Sequence, residues 1–426
     1  MKIWHPFSQS SDEQKINIVS AKDEYLIDSA GNAHIDLISS WWTCIHGHCN
    51  SYISDAISKQ AKALDHVMFS DFTHSSAVKL SENLDRATHG LFEKFFFSDN
   101  GSTSTEVALK IAYQYWKNSG QDRNIIISFE GNYHGDTLGA MSLGGKSGFF
   151  KPFEDLMCRV EFLPYPQTWI GCEDAEHREN LAIRAFEEII AKNSGKIACI
   201  VLEPLVQGAA GMRFSSVNFL QNIMKIARQN GIITILDEVM TGFYRTGKMF
   251  AYQNTNEKPD IICLSKAITG GFLPLGITCV TRKIYQEFAD CGVEKSFLHG
   301  HSYTANPIIC AAANASFDLT NSSKTIDLVK NIADIYQDFV PIFQKIPGIS
   351  KVRTMGVIFA FSCSGIGEYG SENSQKLKQM FLQNFLNIRP LGSEIYLLPP
   401  YCISSENLTI SLEKIAKIIG DLSPCG

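Results

Sequence analysis

Four short segments of the chain carry side chains whose types and spacing could do chemistry. Lys266 ends the run Ile261-Ile-Cys-Leu-Ser-Lys266 and is followed by Thr269-Gly-Gly271. A lysine just past an apolar run can lose its charge to desolvation and act as an amine nucleophile; it can also simply snorkel to water. Asp237-Glu238 ends the run Ile232-Ile-Thr-Ile-Leu236. A carboxylate there is costly unless it meets a cation such as a protonated ring nitrogen, although an acidic pair can also cap the next loop. Ser98-Asp-Asn-Gly-Ser-Thr-Ser-Thr-Glu106 opens a helical pattern with small polar residues. Free backbone N–H groups and hydroxyls at a helix start receive anions, and Gly101, with Ser102 behind it, lets the backbone come close; an ordinary N-cap with a capping-box Glu reads the same way. Gly131-Asn-Tyr-His-Gly-Asp136 follows the run Asn124 to Phe129. Tyr133 and the His beside it could stack on and face a flat ring, or Tyr133 could be a buried loop aromatic.

Each signal alone is moderate. Together they supply an anion cradle, a stacking aromatic, a carboxylate for a ring nitrogen and an amine for an aldehyde. That set matches one cofactor, pyridoxal phosphate. Two other patterns carry less. Gly242-Phe-Tyr-Arg-Thr-Gly-Lys248 follows a nucleotide-binding loop for seven positions but meets Met249 where a magnesium-binding hydroxyl belongs. The two His-Gly-His segments, His46 to His48 and His299 to His301, lack a convincing further ligand set, so no metal is expected.

The elements that must hold these residues can be read from the apolar runs. Asn124 to Phe129, Ile197 to Leu202, Ile232 to Leu236 and Ile261 to Leu264 have strand length and are apolar at almost every position, as strands buried on both faces are. Amphipathic patterns at Thr103 to Trp116, Leu181 to Lys192 and Ser216 to Asn230 read as helices. The alternation predicts an α/β fold, a mostly parallel sheet with helices on both faces, and in such sheets ligands sit at the carboxyl ends of the strands. Tyr25 to Ile38 alternates around a hairpin-like turn at Asp28 to Gly31. The last hundred residues read as a helix near Thr325 to Gln344 and short strands near Val352 to Phe361 and Ile395 to Leu398. The division expected is 1–50 and 311–426 as two parts of a smaller α+β domain, and 51–310 as the large domain, with one helix, Asn306 to Leu319, crossing the second boundary.

Composition is consistent with this. The 426 residues are 45% apolar and 19% charged, with a formal net charge of −6 and no long block of one sign. That is a globular mixture with no footprint for nucleic acid or an acidic membrane surface. The start lacks the apolar core of a signal peptide, and no stretch approaches the roughly 18 apolar residues of a membrane span, so a cytoplasmic location is expected. The 12 Cys are scattered with no CxxC pair, as free thiols are in a cytosolic chain.

The chain also resembles the class III aminotransferases of PLP fold type I nearly end to end, and among them the branch that serves biotin synthesis. The resemblance is carried by Ile3-Trp-His-Pro-Phe7, Ser39-Ser-Trp-Trp42, Phe97 to Ser102, Tyr133 to Thr137, Asp237-Glu-Val-Met-Thr-Gly-Phe243, Arg245-Thr-Gly-Lys248, Leu264 to Gly271, Phe297-Leu-His-Gly300, Ile388-Arg-Pro-Leu-Gly392 and Ile395 to Pro400. It implies that Lys266 attaches pyridoxal 5'-phosphate, that Asp237 faces its ring nitrogen, that Gly101 and Ser102 cradle its phosphate and that Tyr133 stacks on its ring. By the same resemblance Trp41 and Trp42 line an apolar acyl chain and Arg389 binds the substrate carboxylate. Gly300, His301 and Ser302 would close the site of a partner subunit in a homodimer, Ser302 near the phosphate. The implied reaction converts 8-amino-7-oxononanoate to 7,8-diaminononanoate, with S-adenosylmethionine as amino donor. Three positions depart from the pattern: Phe7 stands where users of that donor commonly have Tyr, His301-Ser302 replaces a common Pro-Thr, and Leu273 to Gly276 falls where the family varies. Lysine is therefore the alternative donor. An ω-amino acid aminotransferase and a non-catalytic PLP-binding regulator are the alternative functions.

Overall fold

A strand that must bury both faces needs apolar residues throughout, and Ile197–Leu202, all six residues buried, is an interior strand of the main sheet. The computed structural model describes residues 2–7, 15–145, 150–289 and 292–422. Its main sheet has seven strands, in spatial order Phe92–Ser98, Gly276–Thr281, Ile261–Leu264, Ile233–Asp237, Ile197–Leu202, Ile125–Phe129 and Val160–Leu163. Ile235 lies opposite Val201 on one side and Ile261 on the other, in parallel register. The four strands anticipated from sequence are present, with ends moved by at most one residue.

Three strands lacked a clear sequence signal: Phe92–Ser98, Val160–Leu163 and Gly276–Thr281. The last runs antiparallel to both of its neighbours. Between Leu264 and Gly276 the chain forms only a 3-10 turn, Lys266–Thr269, and no crossover helix. Without a crossover the next strand must return antiparallel.

Helices cover the sheet. Gly101–Asn118 lies against the strands Gly276–Thr281, Ile261–Leu264 and Ile197–Leu202. Val217–Gln229 buries Phe219, Leu220, Ile223, Met224 and Ala227, one helical stripe, and starts at Ser216, whose Oγ accepts the Phe219 N–H at 3.0 Å. Pro307–Thr320 packs on Ser51–Ala63, on Ser75–Ala87 and on the Lys266 turn.

The chain ends meet. Ile18–Lys22, Tyr25–Asp28 and Ala33–Asp36 form a meander whose turn is held by Asp28 Oδ1, which accepts from the Ala30 and Asn32 N–H groups. Leu386–Asn387 joins that meander parallel to Ala33–Asp36. Ile349–Met355, Ile358–Cys363 and Glu394–Leu397 make a further sheet, covered by Ser323–Phe343. The buried Arg353 ties it to the rest, donating to the carbonyls of Met212 at 2.6 Å and Gly211 at 2.5 Å and pairing with Glu394. Among the described residues no helix is long and apolar enough to cross a membrane.

Candidate active site

The carboxyl ends of the parallel strands open into a cavity of ≈ 420 Å³. Asp237, Lys266, Tyr133, Gly101 and Ser102 all line it. Five residues chosen from four separate stretches of sequence thus meet at one place.

Lys266 follows its strand directly, and its own backbone is left-handed, φ 45°. That conformation is strained for a non-glycine residue and typical of functional sites. Its Nζ lies 4.6 Å from the centre of the Trp42 ring, and among the described residues no carboxylate is within ion-pairing distance. Desolvation lowers its pKa below the ordinary lysine value; the charges of Asp237 and Glu203 only partly oppose this.

Asp237 is buried, with Oδ1 accepting the Val239 N–H at 2.9 Å and Oδ2 standing 2.7 Å from His134 Nδ1. His134 is also buried, and its Nε2 has no partner among the described residues. Glu203, at the end of Ile197–Leu202, is a second buried carboxylate on the cavity wall. It accepts the Tyr133 N–H at 2.9 Å and the Gly208 N–H at 2.8 Å, and burial pushes its pKa up to about 7.

Sequence reasoning passed over both His134, as a partner of Asp237, and Glu203. The signal for Glu203 was present: it follows a buried strand just as Asp237 does.

Ser102 stands at the first turn of the helix Gly101–Asn118, capped by Asn100, whose side chain accepts the Thr103 N–H at 3.0 Å. A Cβ on Gly101 would lie 2.8 Å from Val239 Cγ1. The Tyr133 loop is pressed onto this helix start: Gly135, at φ 129°, has room for no Cβ, which would fall 1.9 Å from Ser102 Oγ. Ser102 Oγ accepts the Asp136 N–H at 3.2 Å, and Tyr133 donates to Asp136 Oδ2 at 3.0 Å.

A second cavity, of ≈ 650 Å³, adjoins the first, with Lys266, Tyr133 and Trp42 in both walls. Trp41, Phe7 and Arg389 also line it. Trp41 and Trp42 are set by an unusual backbone. Ser39, Ser40, Trp41 and Trp42 are all left-handed, with φ of 48°, 44°, 74° and 74°. Each costs about 1–2 kcal/mol, and fixed partners hold the turn in place. The Ser39 hydroxyl donates to the Leu398 carbonyl at 2.7 Å, the buried Arg245 donates to the Trp42 and Pro399 carbonyls, and Trp42 Nε1 donates to the Tyr396 hydroxyl at 3.2 Å. The guanidinium of Arg389 lies 4.5 Å from the Trp41 ring centre, and its Nη2 donates to the Tyr369 hydroxyl at 2.5 Å.

Gly300, His301 and Ser302 line neither cavity. They are exposed, with His301 Nε2 3.4 Å from Asp99 at the rim of the helix start.

Pyridoxal phosphate fits the residues present. The glycine-tight helix start suits a phosphate, the unpartnered polar atom of His134 and the Asp237 carboxylate suit a ring nitrogen's surroundings, and Lys266 offers a desolvated amine. Fold and site together define a PLP-dependent enzyme of fold type I, and the family profile of the class III aminotransferases matches residues 7–419. The chain belongs to that family and is an aminotransferase whose cofactor is pyridoxal 5'-phosphate. It is 44% identical, over 99% of both chains, to the adenosylmethionine-8-amino-7-oxononanoate aminotransferase of Synechococcus elongatus. A crystal structure of the enzyme of that name from Methanocaldococcus jannaschii superposes with a TM-score of 0.91 at 30% identity, covering 99% of this chain and 97% of that one. An amine transaminase from an uncultivated Pseudomonas species, in its PLP-bound form, gives a TM-score of 0.93 at 26% identity, covering 100% and 99%.

Proposed function

We propose that this enzyme transfers an amino group from S-adenosylmethionine to 8-amino-7-oxononanoate, giving the 7,8-diaminononanoate of biotin synthesis, and that it works as a homodimer in the cytoplasm. The relatives' names support this reading. The observation that carries it is the ≈ 650 Å³ aromatic-lined cavity shared by Lys266 and Arg389. An acceptor with a ketone near one end, a carboxylate at the other and a chain of methylenes between needs an amine, a guanidinium fork and an apolar slot in that arrangement.

Bound pyridoxal phosphate supplies an aldehyde that joins the donor amine and a ring that accepts the electrons of the donor carbon. Gly101 and Ser102 hold its phosphate at the helix start, and Tyr133 stacks on its ring. Asp237 keeps the ring nitrogen protonated, with His134 fixing the orientation of the carboxylate. Lys266 holds the cofactor between turnovers; once displaced, its neutral Nζ takes the proton from the donor carbon and later delivers a proton to the acceptor carbon. Trp41, Trp42 and Phe7 exclude water from the acyl chain while Arg389 binds its carboxylate. Gly300, His301 and Ser302 act on the partner's site, which explains why they line neither cavity of their own chain.

The test separates the two halves of the reaction. The enzyme, yellow with cofactor, is mixed with S-adenosylmethionine alone, and the visible cofactor band should bleach; adding 8-amino-7-oxononanoate should restore it. Bleaching by lysine and not by S-adenosylmethionine would sink the donor and leave the acceptor standing. Failure of the band to return would sink the acceptor. Phe7 gives the lysine outcome its weight. The hydroxyl it lacks is worth only about 0.5–1.5 kcal/mol if it made one neutral hydrogen bond, and a phenyl face can still stack on adenine.

A further inference from the structure

Two walls of the larger cavity, the one with Trp41 and the one with Arg389, come from distant parts of the chain, and one carboxylate bonds to both. Asp36 is fully buried at the end of Ala33–Asp36. Its Oδ2 accepts the Ser40 hydroxyl at 2.8 Å and lies 2.8 Å from His48 Nε2. Its Oδ1 accepts the Asn387 side-chain amide at 2.9 Å and the Ile38 N–H at 3.3 Å. Ser40 belongs to the left-handed turn and lines the larger cavity beside Trp41. Asn387 stands two residues before Arg389.

The carboxylate is kept charged and in place. Burial pushes its pKa up, but the bonds from His48 and Ser40 outweigh burial, and the pKa is lowered. For His48 burial works downward, and Asp36 and Cys44 outweigh it, so its pKa is raised. An ionised carboxylate only accepts, so Ser40, His48 and Asn387 all donate to it. His48 is itself fixed by its backbone, which exchanges hydrogen bonds with Asp23 at 2.7 and 3.2 Å.

The anchors of the turn thus divide. Ser39 and Trp42 are tied to Leu398, Arg245 and Tyr396. Ser40 is tied to Asp36 and, through it, to Asn387. Ser40 and Trp41 carry left-handed strain, φ 44° and 74°, which a freed side chain would let relax. Trp41 is the ring on which the Arg389 guanidinium rests at 4.5 Å.

We infer that Asp36 is a positioning residue for the acceptor: with one oxygen on Ser40 and the other on Asn387, it fixes the Trp41 wall against the Arg389 wall and so sets the chain length the cavity takes. Trp42 keeps its own anchors and Lys266 follows its own strand, so the chemical step does not depend on Asp36. The inference rests on the proposed acceptor and deepens it, because it names what selects the number of methylenes.

The test uses the full-length enzyme, wild type and Asp36→Asn, with 8-amino-7-oxononanoate and its homologue one methylene shorter, 7-amino-6-oxooctanoate. Both enzymes are loaded with pyridoxamine 5'-phosphate, so no donor is needed, and return of the visible cofactor band is followed at rising acceptor concentration. An amide has one acceptor oxygen and cannot receive Ser40 and Asn387 as the carboxylate does. The wild type should favour the longer acid by about tenfold, the low end for one methylene in a fitted site. In Asp36→Asn the half-saturating concentration of the longer acid should rise about tenfold, the preference should shrink below about threefold, and the limiting rate should stay within about twofold. An undiminished preference in the variant would overturn the inference. So would a parallel fall in the limiting rates with both acids, the mark of a merely structural residue. If Asp36→Asn does not fold, Ser40→Ala and Asn387→Ala, each removing one bond to the carboxylate, carry the same comparison: each should weaken the preference, and a preference intact in both would overturn the inference. A wild type whose band returns with neither acid, or better with the shorter one, would overturn the acceptor reading itself; a wild type that takes both acids equally well would overturn the role of Asp36 alone.

Discussion

A single charged side chain placed where it is poorly solvated is informative only with its neighbours. Lys266 was legible because a lysine after Ile261–Leu264 is costly, and Asp237 was legible for the same reason; the match between them made the cofactor readable. Lys266→Ala should lose turnover by on the order of 10⁴-fold, the upper range for a residue that moves the proton. Borohydride should fix the cofactor to the Lys266 peptide in the wild type and to no peptide in the variant; fixation at Lys248 or Lys283 would contradict the assignment. Glu203 obeys the same strand-end logic and gives a stability prediction. Its folded pKa is raised from 4.5 to about 7 by burial, so its contribution is full below pH 4.5 and is lost as pH rises towards 7, because the unfolded chain releases the proton first. Glu203→Gln cannot titrate there. In urea titrations of the cofactor-stripped protein, the stability of wild type relative to Glu203→Gln should fall by on the order of 3 kcal/mol between pH 4.5 and 7. A difference that is flat with pH would show that Glu203 is ionised throughout. Tyr369, by contrast, was invisible in the sequence. It sits in a glycine-rich loop with no apolar run before it, and only the fold places it beside Arg389.

Elements position these side chains through close backbone approach, which sequence patterns express poorly. The strands with at most one polar residue within their apolar run could be read directly, but Gly276–Thr281 mixes Gly and two Thr with its apolar residues. It becomes a strand because it lies between Ile261–Leu264 and Phe92–Ser98, two strands that need a partner. The left-handed turn Ser39 to Trp42 has no sequence signature at all, since none of its four residues is glycine. Its conformation is imposed from outside, by Arg245, Leu398 and Tyr396. Arg245 is fully buried, with its donors on the carbonyls of Trp42 and Pro399. Arg245→Met should keep the volume but leave both carbonyls unsatisfied, costing on the order of 2–5 kcal/mol; thermal unfolding of the variant measures it, and a loss under 1 kcal/mol would mean that the turn holds itself. The contact between the Tyr133 loop and the helix start is as tight. Gly135→Ala should force Ser102 and Tyr133 apart by overpacking, at about 1–3 kcal/mol, and should weaken cofactor retention on dialysis more than it lowers the melting temperature. Cofactor held as tightly as in wild type would show that the loop can yield without cost to the phosphate site.

At the scale of the whole molecule the two ends of the chain share one sheet, with Leu386–Asn387 paired to Ala33–Asp36. The segment that carries Trp41 and Trp42 and the segment that carries Arg389 are therefore held together although they are far apart in sequence. The region around Gly300 to Ser302 lines neither cavity of its own chain. Tyr303 lies with its ring 5.5 Å from His66, and Asn306 donates to the Asp65 carbonyl, so 65–72 and 297–306 form one surface. On it Met68, Phe72, Leu298 and Tyr303 are more than half exposed, Leu298 at 76%. Large apolar side chains clustered in this way mark a contact surface. A second copy of the chain is the occupant that would also bring Ser302 to a cofactor phosphate, because a closed twofold dimer presents the same patch from both sides. Light scattering of the purified protein should give about twice the chain mass of 47.4 kDa. Leu298→Asp places a charge in the patch, where burial without a partner costs several kcal/mol. The variant should shift towards monomer on dilution and lose activity in step with the monomer fraction, while its melting transition at high concentration stays close to wild type. A wild-type protein that is monomeric at working concentration and fully active would remove both the dimer and the role given to Ser302.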